Sequence, residues 1–272
     1  MQRFGPYTLI RPLTPLGAWE RWIALHELND TDHVVYRHAA LHDASERRRL
    51  VDRVAKLARP KHAHLLPVEA YSFDEQGRMC LVTPYTGNQE GLVTVADLLA
   101  RKNGRLEVPE VARVVEQLLD AIATARAHGL SGARIDSARV LIDRRGSVQY
   151  ELFGLLGREG ISTPESEDIR AVAMLAAWLL TGIEPHIATV SVSRVAGRAS
   201  RGWDAWITAA CDPLEGFETI AEALAAMPSR GGVLPARTPA PVTDRRQGGI
   251  GAVIRRFRRA APTEARHSDR DS

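Results

Sequence analysis

One stretch constrains this chain more than any other: His128-Gly129-Leu130-Ser131-Gly132-Ala133-Arg134-Ile135-Asp136-Ser137-Ala138-Arg139-Val140-Leu141-Ile142-Asp143. A long amphipathic helix runs into it. Over residues 109–128, Val111, Val115, Leu118, Ile122 and Ala125 fall on one face at helical spacing. Pro109 suits a first helical turn, where its missing N–H leaves nothing unpaired. A short apolar strand, Val140-Leu141-Ile142, leaves the stretch. The turn Asp143-Arg144-Arg145-Gly146 and a second strand over residues 147–152 follow it.

The regions on either side differ in kind. Before it, residues 7–13, 19–28 and 32–40 are short runs rich in β-branched and aromatic residues. Pro12, Pro15-Leu16-Gly17 and Asn29-Asp30 interrupt them. A basic helix over 44–59 carries Leu50, Val54 and Leu57 on one face. Strands over 66–73 and 78–83 flank the turn Asp74-Glu75-Gln76-Gly77, and Pro84-Tyr85-Thr86-Gly87-Asn88 reads as a hinge. After the hinge, helices are expected over 95–100, 109–128, 167–180, 203–211 and 218–226. The 167–180 segment is almost entirely apolar and is expected to be buried on every side, with Gly182 and Pro185 ending it. Strands first and helices after give α+β with two unequal lobes.

Within this layout the loop and its neighbours resemble a protein kinase of the bacterial Ser/Thr type. The resemblance covers roughly residues 5–227 and rests on several short segments in order. Val34-Val35-Tyr36-Arg37 resembles Val-Ala-Ile-Lys of the third strand, and His62-Ala63-His64-Leu65-Leu66-Pro67-Val68 resembles the stretch after the regulatory helix. Leu81-Val82-Thr83-Pro84-Tyr85 resembles the last strand and hinge, with Thr83 as gatekeeper and Thr83 and Tyr85 lining a vestigial cleft. Thr163-Pro164-Glu165 resembles the end of an activation segment, and Asp168 stands at the buried aspartate of the central large-lobe helix. Leu180-Thr181-Gly182-Ile183-Glu184-Pro185 and Cys211-Asp212-Pro213 continue the series. The implied architecture is a two-lobed kinase-like fold: a small β-rich lobe at 1–87, a larger helical lobe at 88–228, and a disordered basic tail at 229–272.

The same resemblance implies lost chemistry. Phosphoryl transfer needs backbone amides and a cation on the phosphates, metal-binding oxygens, and a carboxylate near the attacking hydroxyl. Thr14, Leu16 and Trp19 stand at the glycine positions of the phosphate loop, and Pro15 removes a donor. Arg37 replaces the phosphate-contacting lysine; a strand-edge arginine facing solvent or an acid is the plainer reading of that residue. Its helix partner would be Asp52, or else Glu46. Arg134 replaces the catalytic aspartate, Arg139 the metal-binding asparagine, and Leu152 the aspartate of Asp-Phe-Gly. Of two nearby acids, Asp136 stands at a lysine position, and Glu151 is expected to face away from the cleft because side chains alternate along a strand. Glu165 lacks its family arginine and is expected to be unpaired or differently paired. The chain is identified as a degenerate pseudokinase: not an enzyme, ATP binding weak or absent, and no magnesium or other metal. Arg134 and Arg139 could still hold an anion, such as an acidic partner segment. A kinase-fold enzyme with rewired nucleotide use is the alternative.

Charge is divided unevenly. Ten arginines against four acids give residues 229–272 a surplus of six, so the whole-chain charge of +3 leaves −3 on residues 1–228. In this tail a short amphipathic helix is expected at about 249–259. Ile250, Val253, Ile254 and Phe257 share one face, and Arg255, Arg256, Arg258 and Arg259 fill the flanks. A helix this short needs a surface to fold on. Anionic lipid, a partner groove and the acidic domain itself all fit. A nucleic-acid regulator using the arginines is a further alternative. Cys80 and Cys211 are expected to be buried free thiols of a reducing compartment. With no signal peptide or long apolar run, the expectation is a cytoplasmic scaffold in a signalling or envelope-assembly complex, peripheral to the inner membrane face.

Overall fold

The structure is a computed structural model. It describes residues 2–86, 93–132, 135–143, 145–155, 163–184, 191–197 and 200–228. The tail, with the expected helix at 249–259, lies outside the described residues, as do Arg134 and residues 156–162.

The N-terminal lobe is a six-stranded antiparallel sheet in the order β1-β2-β3-β4-β6-β5. Its strands are β1 (Arg3–Phe4), β2 (Tyr7–Leu16), β3 (Trp19–His26), β4 (Thr31–His38), β5 (Ala70–Phe73) and β6 (Met79–Pro84). Alternation divides the sheet into two faces. Val34 and Tyr36 of β4 and Leu81 of β6 join the main core, which runs into the second lobe. Ala24, Val35, Cys80 and Val82 face outward and are covered by Phe4, Tyr7 and Leu9. Helix α1 (Ala44–Leu57) lies on the inward face through Leu50, Val54 and Leu57. The Asp43 carboxylate caps it, accepting from the Ser45 and Glu46 amides.

The second lobe is built on α3 (Val108–Ala127) and α4 (Glu165–Thr181), with α2 (Val95–Arg101), α5 (Val192–Ala196), α6 (Arg201–Cys211) and α7 (Ile220–Ala225) around them. Strands β7 (Val93–Thr94), β8 (Val140–Ile142) and β9 (Val148–Tyr150) form a small antiparallel sheet beside α3. Gly182 ends α4 at φ +73°, where a Cβ would stand 2.7 Å from the Gly104 carbonyl oxygen, so no other residue fits. Leu65 bridges to Tyr150, and the Leu66 amide donates to the Tyr150 carbonyl, fastening one lobe to the other.

Two expectations need correction here. The 66–73 strand begins only at Ala70. Helix α4 is not buried all round: Met174 is 37% exposed, and Ala171 and Trp178 are partly so. Among the described residues no helix is long and apolar enough to cross a membrane.

Candidate functional site: the cleft between the lobes

Sheet register decides which β4 residues reach the cleft. Arg21 of β3, Tyr36 of β4 and Leu81 of β6 are cross-strand neighbours on the inward face, and Val34 pairs with Thr83 on that same face. Arg37 pairs with Glu20 and Cys80 on the outward face. Arg37 therefore does not stand in the cleft, contrary to the motif alignment. It is buried on the far side of the sheet, 3.7 Å from both Glu20 and Asp74. Of the plainer reading, a strand-edge arginine facing solvent or an acid, the acid part holds, but β4 is an interior strand of the sheet. Asp52 and Glu46 on α1 are exposed, and neither meets it.

The residue of this segment that reaches the second lobe is Tyr36. Its phenol donates to the Glu151 carboxylate, and both side chains are buried. Arg21 Nη2 lies 3.5 Å from the same carboxylate oxygen, and its guanidinium sits 5.6 Å from the centre of the Tyr36 ring. Burial first, and then the Glu151 charge, push the phenol pKa well above the ordinary tyrosine value. Tyr36 thus stays protonated as donor. Thr83, fully buried, completes this wall. Tyr85 lies beyond it, half-buried against the main core, with its amide donating to the Asp32 carbonyl.

Glu151 therefore faces the N-terminal lobe, not away from the cleft. Alternation fails because β9 ends at Tyr150, and Leu152 turns the backbone at φ +50°. Leu152 itself is fully buried and presents no oxygen. Arg139 is 6% exposed and donates from Nη2 to the carbonyls of Glu151 and Leu152, at 2.5 and 2.7 Å. Its guanidinium also lies 5.3 Å from the Tyr150 ring centre. A cation of the chain itself thus stitches the loop to the turn after β9. Asp136 is exposed, and its carboxylate accepts from the Ala138 amide.

Two further arginines, invisible to motif reading, hold the loops. Arg53 of α1 donates from Nη2 to the carbonyls of Gly154, at 2.9 Å, and Leu155. Arg126, in the last turn of α3, donates to Asp168 at 2.5 Å and to the Thr163 carbonyl at 2.7 Å, and lies 3.8 Å from Glu165. Glu165 is thus differently paired, as one of the two expectations had it, and its other oxygen accepts from the Ile220 amide. Burial raises the Asp168 pKa to about 6, against the lowering effect of Arg126. Gly132 and Gly154 let the two loops touch: a Cβ on Gly132 would lie 3.2 Å from Gly154 Cα.

Leu152 and Arg139 supply no metal-binding oxygen, and the inward strand position carries a neutral phenol already bonded to Glu151. Among the described residues no cluster of His, Cys, Asp or Glu is placed to hold a metal ion.

No protein-family profile matches the chain, and no curated protein matches it. The kinase domain of PknI from M. tuberculosis, known from a crystal structure, is similar in fold. It is 20% identical, with a TM-score of 0.67, and the match covers 82% of this chain and 94% of that one. The chain has a protein-kinase-like fold. On the kinase-like frame, the Tyr36–Glu151 contact spans the space between the two lobes.

Proposed function

We propose that this kinase-like domain is catalytically silent and works as a binding or scaffold module. The observation that carries the reading is the Tyr36–Glu151 bond across the interlobe cleft. Phosphates need a cation and free backbone amides, and this wall offers a protonated phenol bonded to a carboxylate, with its one cation, Arg21, already beside that carboxylate. Leu152 and the carbonyl-bound Arg139 extend the argument to the metal side. What remains of the fold is a two-lobed surface, suited to holding a protein partner in a signalling or envelope-assembly complex. The arginine-rich segment 249–259 would keep that module at the inner face of a membrane, through anionic lipid and an apolar face.

The test is phosphoryl transfer by the pure full chain, with labelled ATP and Mg²⁺ or Mn²⁺. The expected result is no label on the protein or on a generic peptide. Strong autophosphorylation abolished by Asp136→Ala would instead establish an enzyme with rewired nucleotide use.

A further inference from the structure

The open face of α4 has a candidate cover in the chain's own tail. Ala171, Met174, Leu175 and Trp178 line the outer part of the cleft, beneath the β2–β3 hairpin. Their spacing is i, i+3, i+4, i+7, one helical face. Met174, at 37% exposure, is the largest uncovered apolar side chain of this helix. An apolar stripe in mid-helix is normally covered by another element.

We infer that residues 250–257 dock on this face as a helix. Ile250, Val253, Ile254 and Phe257 repeat the same i, i+3, i+4, i+7 spacing, so the two stripes are matched in length and can interdigitate. Charge agrees. The exposed acids Asp136 and Glu184 line the same cleft, and the two arginines that also line it, Arg53 and Arg139, are bound to backbone carbonyls. Among the described residues that line the cleft, Arg255, Arg256, Arg258 and Arg259 then have these two carboxylates to meet and no arginine without a carbonyl partner. The domain and the tail carry opposite net charge.

Reach is not limiting. The chain leaves the domain at Pro228, which packs on Gly202 of α6, a helix that lies directly on α4. Residues 229–249 extend up to ~70 Å, against about 25 Å for the whole length of the 17-residue α4. Being tethered, the segment faces α4 at an effective concentration of about millimolar. This favours it over a second copy of the chain. Docking and membrane association would use the same apolar stripe, so each would exclude the other.

The experiment is peroxide oxidation of the full chain, with Met174 followed by mass spectrometry and the buried Met79 as internal reference. Wild type is compared with Phe257→Glu and with Ile254→Glu, both changes lying in the tail rather than in the sequence of the domain at 1–228. Met174 is expected to oxidise at least about threefold faster in both variants, as the tethered cover is lost. Equal rates in wild type and variants overturn the inference. So does protection in wild type that disappears on dilution, which would make a second copy the occupant.

Discussion

The Tyr36 phenol and the Glu151 carboxylate meet across the two lobes, 115 residues apart in sequence, with both side chains buried. Such a bond is expensive to leave half made. Tyr36→Phe keeps the ring and removes the donor, so among the described residues Glu151 keeps Arg21, at 3.5 Å, beside its carboxylate. The expected cost is about 2 kcal/mol, read as a lower midpoint in urea with an unchanged slope. An unchanged midpoint would mean that the pair contributes nothing to the fold.

Asp168 makes stability depend on pH. Its folded pKa, about 6, lies above the ordinary value of 3.8 because burial outweighs Arg126. Below about pH 4 the carboxyl is protonated in folded and unfolded chains alike. As pH rises toward 6, the unfolded chain gives up this proton more readily, and the group's stabilising contribution is lost. Melting temperature should therefore fall across pH 4 to 6 relative to an Asp168→Asn chain, which lacks the group. Parallel profiles for the two proteins would refute the assignment.

Much of this fold can be read from pattern. Apolar spacing marks α1 and α3, and short broken runs mark the strands of the first lobe, because one-sided burial imposes a period. The site is less legible. In Val34-Val35-Tyr36-Arg37 the phase of alternation sets which residue faces inward, and four long or apolar residues in a row carry no phase. The motif alignment chose Arg37, and the register chose Tyr36. Glu151 was misplaced for another reason: a left-handed Leu152 interrupts the alternation, and nothing in a leucine announces a positive φ. Arg126 and Arg53 are single residues on helices, and their carbonyl partners come from loops that pattern cannot place. The uncovered face of α4 was missed because an apolar helix looks buried whichever way it turns.

Restoring metal ligands should not restore metal use. Arg139→Asn with Leu152→Asp supplies the family's oxygens but leaves Tyr36 and Glu151 in place, and groups that act as a unit do not recover singly. It also frees the carbonyls of Glu151 and Leu152. The double variant should lose on the order of 3 kcal/mol of stability and show no magnesium-dependent nucleotide binding by calorimetry. Millimolar or tighter binding that requires Mg²⁺ would show that the Tyr36–Glu151 wall does not occlude the cleft.

The tail should associate with anionic vesicles. The apolar stripe supplies insertion, and the arginines supply a salt-sensitive attraction of about 1 kcal/mol each. Phe257→Glu should reduce co-sedimentation even at low salt. Replacing Arg255, Arg256, Arg258 and Arg259 by Gln should reduce it and flatten its salt dependence. The comparison that decides is the full chain against one ending at Ser229: equal pelleting would remove the membrane role. Binding to duplex DNA but not to vesicles would favour a nucleic-acid partner.

The central claim is that Tyr36 and Glu151 close the cleft to nucleotide. Its most direct measurement is the melting temperature of the full chain titrated with ATP, with and without Mg²⁺ or Mn²⁺. A ligand that binds only the folded state raises that temperature by mass action. The account predicts no shift at micromolar ATP and no effect of the metal. A metal-dependent rise of several degrees at micromolar ATP, about what a 100-fold excess over Kd would give, would contradict it.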